Sequence, residues 1–160
     1  MKVNLYDNLR SKKIVGHIMQ ASKMDMPNSA SDWNFDWKSL HNKTALVFKV
    51  IYEDEIQGLL KMSRLEAGYY EMTNLELAPS NYGSNGELNN IAGCLIAYAC
   101  LLTFKLNNGN YKGYLAFTSK GELIPHYEQN YYAELVYREK MIISPTNGKR
   151  LIKKYLDLNM

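Results

Sequence analysis

The chain has 160 residues, of which 46% are hydrophobic and 22% charged, and its formal net charge is +3. This length suits one ordinary domain, and the composition excludes an intrinsically disordered, collagen-like or disulfide-stapled protein. The longest uncharged apolar run, 91–104, is shorter than the roughly 20 residues that span a bilayer. The N-terminus lacks an apolar stretch followed by a cleavage site, so we expect a cytoplasmic protein.

The first 45 residues are predicted to form a helix followed by a loop. Four apolar residues recur at helical spacing and predict a helix over 11–24: Ile14, Val15, Ile18 and Met19. Trp33, Phe35 and Trp37 then alternate with polar residues, so an extended segment would carry three rings on one side. These rings line either the core or a ligand-facing wall.

Residues 45–105 predict a hairpin, a third strand and a long helix. Ala45–Tyr52 and Gln57–Leu65 flank a polar turn, and Tyr69–Ala78 is a third strand that ends at a proline. The Gly- and Asn-rich loop 80–90 leads into an apolar helix predicted over 91–105. A helix start that follows a strand and a flexible loop can bind an anion through its free N–H groups.

The last third predicts alternating strands and helices. We expect a strand over 111–118, a helix from about 121 to 130, and one final strand over 133–143. Ser144 and Pro145 are a cap and first-turn pair for a terminal helix that reaches Leu158. The order of elements predicts an α/β fold with a mixed sheet and helices on its faces.

Several familiar catalytic patterns do not occur in this sequence. It lacks the G-x-S-x-G elbow, the P-loop and G-x-G-x-x-G, which removes the usual sequence support for hydrolases, P-loop NTPases and dinucleotide enzymes. The two cysteines and three histidines show no metal-ligand spacing, so we expect no metal site.

Two side chains are candidates for proton transfer. Glu76 lies in an apolar strand, where partial burial would raise the pKa of its carboxyl and make it a general base; an ion-paired edge glutamate is the alternative. Tyr127 is a phenol whose ordinary pKa near 10 keeps it protonated, so it can protonate a leaving thiolate. Strict alternation places Glu71 on the strand face opposite Glu76, unless a bulge reverses it.

Six segments, in this order and spacing, carry a family resemblance: Ile56-Gln57-Gly58-Leu59, Leu75-Glu76-Leu77-Ala78-Pro79, Ile91-Ala92-Gly93, Gly113-Tyr114-Leu115-Ala116-Phe117, Leu123-Ile124-Pro125-His126-Tyr127-Glu128 and Met141-Ile142-Ile143. Over about two-thirds of its length, the chain resembles the GNAT N-acetyltransferase superfamily. It is most similar to small uncharacterised bacterial GNAT-like proteins.

The resemblance implies a single-domain GNAT-like fold with a splayed sheet and a cofactor, acetyl-CoA or another acyl-CoA. It places the cofactor's pantetheine arm along the backbone at Leu77 and Ala78. It places the pyrophosphate on the start of the long helix, at Asn90, Ile91, Ala92 and Gly93. It gives Glu76 the role of base for the acceptor amine and Tyr127 the role of acid for the thiolate.

The sequence departs from the family pattern at two places. In the pyrophosphate signature [QR]-x-x-G-x-[GA], Ala92 fits, Glu87 stands at the basic or amide position, and Asn90 stands where glycine is expected. Asparagine tolerates unusual backbone angles better than most residues and can replace that glycine. Tyr132 stands where the family has a glycine after the last tyrosine-bearing helix.

These observations predict one domain over 1–160, with acceptor-side helices and a loop in 1–45 and the core sheet and cofactor-binding half in 46–160. The predicted activity is transfer of an acetyl group from acetyl-CoA to a primary amine of a small molecule or peptide. We expect a monomer or homodimer, with neither a membrane nor nucleic acid as partner. The alternative is an inactive GNAT-like module that binds protein or nucleic acid through its basic tail or the Trp33–Trp37 surface.

Overall fold

The structure is a computed structural model that describes residues 1–28 and 30–160. Its strands are β1 Lys2–Asp7, β2 Lys12–Gln20, β3 Ala45–Tyr52, β4 Glu55–Arg64, β5 Tyr70–Leu77, β6 Leu88–Asn89, β7 Leu115–Thr118, β8 Glu134–Tyr137 and β9 Lys140–Ile143. Its helices are α1 Trp37–Leu40, α2 Ile91–Leu106, α3 Ile124–Tyr131 and α4 Pro145–Leu156. The strands form one mixed sheet in the order β6-β1-β2-β3-β4-β5-β7-β9-β8, which confirms the predicted α/β class.

The N-terminal region forms a hairpin of strands, so the helix predicted over 11–24 is wrong. Along β2, Ile14 and Ile18 are buried whereas Val15 and Met19 are exposed, and this burial has a period of two. Strand β2 pairs with β1 on one side and β3 on the other. Residues 1–45 therefore begin with two strands, and α1 is a single helical turn.

The middle of the chain agrees with the prediction. The hairpin of β3 and β4, the third strand β5 and the long helix α2 all occur close to their expected bounds. Helix α2 is covered by the sheet and by α4, and ten of its residues are buried, which explains its apolar sequence. Among residues 1–28 and 30–160, no helix combines the length and apolar character needed to cross a membrane.

The C-terminal region contains one more turn than expected. Instead of a single strand over 133–143, β8 and β9 form an antiparallel hairpin, with Arg138 in a left-handed conformation (φ 49°) at the turn. Helix α3 begins three residues after the predicted start at 121, because residues 121–123 form a separate 3-10 turn, and it ends at Tyr131. Helix α4 is capped as expected, since the Ser144 hydroxyl accepts a 3.2 Å hydrogen bond from the backbone N–H of Asn147.

Candidate active site

A cleft opens where β5 and β7 separate. The two strands run parallel and pair at Glu71 and Ala116, and beyond that pair residues 72–77 and 117–120 line the cleft. Its volume is ≈ 470 Å³, within the range of small-molecule sites. Ligands of open α/β sheets bind at the carboxyl ends of the strands. The gap between β5 and β7 is such a place.

Strand β5 carries a β-bulge at Thr73, on the wall of the cleft. Its pairing with β4 shifts by one residue between Asn74 and Met72. A bulge leaves its extra residue outside the ladder, so Thr73 has no register partner on β4, although its hydroxyl donates a 3.4 Å hydrogen bond to the Lys61 carbonyl there. The extra residue also reverses the strict alternation between Glu71 and Glu76.

The carboxylate of Glu76 joins β5 to the segment 33–37. Its Oε2 accepts hydrogen bonds from the Asn34 N–H and the Tyr82 hydroxyl, both at 2.6 Å. Its Oε1 accepts bonds from the Phe35 N–H at 3.0 Å and from Trp37 Nε1 at 2.9 Å. Glu76 is 6% exposed, so four donors satisfy a nearly buried anion.

The pKa of Glu76 moves opposite to the sequence-based expectation. Burial raises this pKa, but the hydrogen bonds from Tyr82, Asn34, Phe35 and Trp37 together lower it by more than burial raises it. The pKa of Glu76 therefore lies below its ordinary value of 4.5. The expectation of a raised pKa is wrong because it considered burial without the donors. A carboxylate held ionised by four donors is a weak proton acceptor, so this geometry favours a positioning role over that of a general base.

Tyr82 belongs to this site, although sequence reasoning did not single it out. Its ring lines the cleft, and burial together with the bond to Glu76 raises the pKa of its hydroxyl to about 12. The phenol therefore stays protonated at neutral pH. Its aromatic ring within the polar loop 80–90 was the available signal, but 13 tyrosines in the chain weaken any single one.

Tyr127 lies in the same cleft as Glu76, on the side of α3. Its ring centre is 4.9 Å from that of Phe117 on β7. Burial raises the pKa of Tyr127, which keeps the phenol protonated. Its hydroxyl makes no hydrogen bond to another residue in the described part of the chain, and a proton donor for a ligand needs this freedom.

The two residues expected to contact the pantetheine arm differ in their availability. Leu77 lines the cleft together with Glu76 and Tyr127. Ala78 is buried and lies outside that lining, and its backbone N–H already donates a 2.9 Å hydrogen bond to the Gln57 carbonyl. Leu77 is therefore the better placed of the two.

The start of α2 lies outside the lining of the cleft. Asn90 is exposed and left-handed, with φ 75°, which is the glycine-like conformation expected of it. Its carbonyl accepts the N–H of Cys94, so the first-turn amides of Ile91, Ala92 and Gly93 precede the helical ladder. Ile91 is buried, and Ala92 is half-buried.

Gly93 has a packing reason to be glycine. The ring of Tyr155 on α4 occupies the position that a Cβ atom at Gly93 would take. Any larger residue at this position would displace α4. A charged replacement of Gly93 therefore cannot test ligand binding cleanly.

Glu87 and Asn90 face different cavities, although they are three residues apart. Glu87 lines an acidic cavity together with Asp7, Glu53 and Glu55, whereas Asn90 lines a cavity of ≈ 270 Å³ that includes two lysines, Lys13 and Lys154. Glu87, whose negative charge would repel a pyrophosphate, thus lies away from the cavity at the start of α2. Within residues 1–28 and 30–160, no cluster of His, Cys, Asp and Glu is arranged to hold a metal ion.

The sequence matches no protein-family model and no curated protein. Solved structures do match: the KacTA–DNA complex has TM-score 0.63 and 10% identity over 87% of this chain and 99% of that one. AtaTR bound with acetyl-CoA has TM-score 0.59 and 13% identity over 86% of this chain and 98% of that one. A Bacillus subtilis acetyltransferase in complex with CoA has TM-score 0.50 and 11% identity over 79% and 95%. The chain has the GNAT fold.

One expectation about partners is overturned by these GNAT-fold structures. The sequence led us not to expect nucleic acid as a partner, because only the tail run 149–154 resembles the basic face typical of nucleic-acid-binding proteins. A GNAT-fold protein that matches 87% of this chain is found in a complex that contains DNA. The expectation that nucleic acid is excluded is therefore wrong.

The backbone conformation at Tyr132 accounts for the second departure from the family pattern, the tyrosine in place of a glycine after α3. Tyr132, at the position where the family has glycine, ends α3 in a left-handed conformation with φ 56°. The guanidinium of Arg150 lies 3.9 Å above the centre of its ring. The backbone thus keeps the glycine-like turn, and the ring packs under α4.

Proposed function

We propose that this protein is an N-acetyltransferase that moves an acetyl group from acetyl-CoA, or another acyl-CoA, to a primary amine by direct attack. The observation that carries the proposal is the cleft between β5 and β7, whose lining includes both the bulged residue Thr73 and the protonated phenol of Tyr127. The acetyl-CoA bound in AtaTR and the CoA bound in the B. subtilis acetyltransferase support an acyl-CoA as the cofactor.

The residues present fit such a cofactor. Leu77 and the β5 edge would hold its pantetheine arm, because parallel strands that separate leave backbone groups free for a ligand. The amides of Ile91, Ala92 and Gly93 would bind its pyrophosphate at the positive end of α2. Lys13 and Lys154 line the cavity at Asn90, outside the cleft, and would place positive charge beside that helix start.

The cofactor supplies the acetyl group as an activated thioester. The backbone at Thr73 would donate a hydrogen bond to the thioester oxygen as negative charge develops on it. The Tyr127 hydroxyl would donate its proton to the leaving sulfur, as the neutral acceptor amine displaces that sulfur from the acetyl carbon, and would recover a proton from solvent. The acceptor ammonium would lose one proton to water before it attacks, and its nitrogen would lose a second proton to water as the amide forms.

Glu76 would act through the residues that it holds. Its carboxylate fixes Asn34, Phe35 and Tyr82 on one wall of the cleft. Residues 1–45 would thus shape the acceptor side, and residues 46–160 would supply the core sheet and the cofactor side. Glu76 is a positioning residue in this scheme.

Calorimetric titration with acetyl-CoA tests the proposal, with free CoA and ATP as controls. We expect a micromolar dissociation constant for acetyl-CoA and weaker binding of ATP, since ATP lacks the pantetheine arm. Absence of binding at millimolar acetyl-CoA would reject the enzyme and leave the non-catalytic binding module.

A further inference from the structure

The acceptor side of the cleft presents exposed apolar side chains. Phe35 is 43% exposed, Tyr82 is 39% exposed and Leu123 is 40% exposed, and all three line the cleft. Isolated exposed apolar residues are common on protein surfaces, but three around one concavity indicate a binding surface.

The two aromatic residues among these three are both bonded to the Glu76 carboxylate. The Phe35 backbone N–H and the Tyr82 hydroxyl both bond to the Glu76 carboxylate, at 3.0 and 2.6 Å. The Phe35 ring also packs edge-on against the buried Trp37 ring, with centres 6.0 Å apart. The two rings are therefore positioned before a ligand binds, which lowers the entropy lost on binding.

The cleft lining includes two charged side chains, the carboxylate of Glu76 and the ammonium group of Lys120. Glu76 is the carboxylate in its lining, and its oxygens are already engaged by four donors. Lys120 is the cation, and it forms no ion pair within the described residues. The lining thus offers no free anion for a second positive charge on the acceptor.

From these rings and charges we infer that the acceptor is a primary amine that carries an aromatic ring and no second cationic group. This inference rests on the proposed acetyl transfer and assigns the class of its acceptor. The ring of the acceptor packs against Phe35 and Tyr82, where aromatic pairs are favourable. A carboxylate on the acceptor lies toward Lys120. Polyamines and lysine-rich peptides are excluded by the same charges.

The test titrates tyramine, L-tyrosine and spermidine separately into the protein, with and without saturating CoA. Binding is followed by NMR through the indole N–H signal of Trp37, which is next to Phe35 and Glu76. The Trp33→Phe variant identifies this signal, because the chain has two tryptophans.

We expect tyramine and L-tyrosine to bind at least tenfold more tightly than spermidine. Phe35→Ala should weaken tyramine binding at least fivefold, whereas Tyr111→Ala should leave it unchanged, since Tyr111 is 42% exposed but lies outside the cleft. Equal or tighter binding of spermidine, or no saturable binding of either aromatic amine at millimolar concentration, would overturn the inference. Failure of the proposed transferase is read separately, as loss of acetyl-CoA binding in calorimetry.

Discussion

The indole N–H of Trp37 donates a 2.9 Å hydrogen bond to the carboxylate of Glu76. Trp37 is fully buried in a small cluster on the sheet with Met26, Val47 and Leu59. The Trp37 ring therefore packs in the core, whereas the Glu76 carboxylate to which it donates lines the cleft. The segment 34–37 is thus joined to β5 through the ionised carboxylate of Glu76.

The first prediction concerns the removal of that charge. Glu76→Gln should lower the free energy of unfolding by about 2 kcal/mol. The new amide NH₂ group would face two hydrogen-bond donors in the place of a carboxylate oxygen that accepts from them. Urea denaturation measures the change. Glu134→Gln, on the exposed strand β8, should change stability by less than about 0.5 kcal/mol. Equal stability of the two variants would contradict the role assigned to Glu76.

The second prediction is a loss of stability in acid. The folded-state pKa of Glu76 lies below its ordinary value of 4.5, so its contribution is complete above that pH and is lost as the pH falls through the lower folded value. Asp25, whose pKa is lowered chiefly by its hydrogen bond with Lys49, adds to the same loss. The wild type should therefore lose stability below about pH 4 more steeply than Glu76→Gln, since Asp25 contributes equally to both.

Parallel denaturation curves between pH 2 and 7 measure this difference. A tryptophan signal that shifts over the same acidic range in wild type, and stays constant in Glu76→Gln, would identify Glu76 as the titrating group. Identical acid profiles would contradict the prediction.

The sequence predicted the elements of the core better than those at the edges of the sheet. Ile14 and Ile18 are four residues apart, a spacing that fits a helix face and a strand face equally. The pairing of β2 with β1 and β3 decides between them, and a local pattern does not contain that information. The turn at Arg138 lacks the Gly or Asn that usually marks a left-handed residue, so β8 and β9 were read as one strand.

The candidate site was predicted only in part, because local sequence patterns do not contain the tertiary contacts that complete it. Glu76 and Tyr127 were chosen by residue type and order, and the structure places both along one cleft. Three of the four donors to Glu76 come from Asn34, Phe35 and Trp37, about 40 positions earlier in the chain. Their effect on the pKa depends on tertiary contacts, which spacing along β5 cannot reveal.

The third prediction tests the helix start as the pyrophosphate site. Asn90→Asp should weaken acetyl-CoA binding at least about fivefold, because a carboxylate there repels the phosphates by about 1 kcal/mol or more. The matched control is Asn90→Gly, which keeps the left-handed backbone without adding charge and should bind as wild type. The added carboxylate favours the helix itself, so weaker binding should appear without a loss of stability. Calorimetry and thermal unfolding of the three proteins separate these effects.

The fourth prediction follows from the contact between Gly93 and Tyr155. Gly93→Ala should destabilise the protein by about 1 to 3 kcal/mol, since the new methyl group meets the Tyr155 ring. Replacing that ring in the double variant Gly93→Ala/Tyr155→Val should recover part of the loss caused by the alanine alone. Gly121→Ala is the control, because a Cβ there has only a 3.4 Å neighbour, the Glu139 carboxylate. A double-mutant cycle in urea measures the coupling, and strict additivity would disprove the steric explanation.

The fifth prediction concerns the phenol in the cleft. Tyr127→Phe should lower kcat at least tenfold and leave the dissociation constant for acetyl-CoA unchanged, because the ring and its packing on Phe117 remain while the proton donor is lost. Tyr114→Phe, which removes a hydroxyl outside the cleft, should leave both values unaltered. Release of free thiol from acetyl-CoA, followed with an aromatic amine as acceptor, gives kcat for each variant. An unchanged rate in Tyr127→Phe would assign thiolate protonation to solvent, since no second unbonded phenol lines this cleft within the described residues.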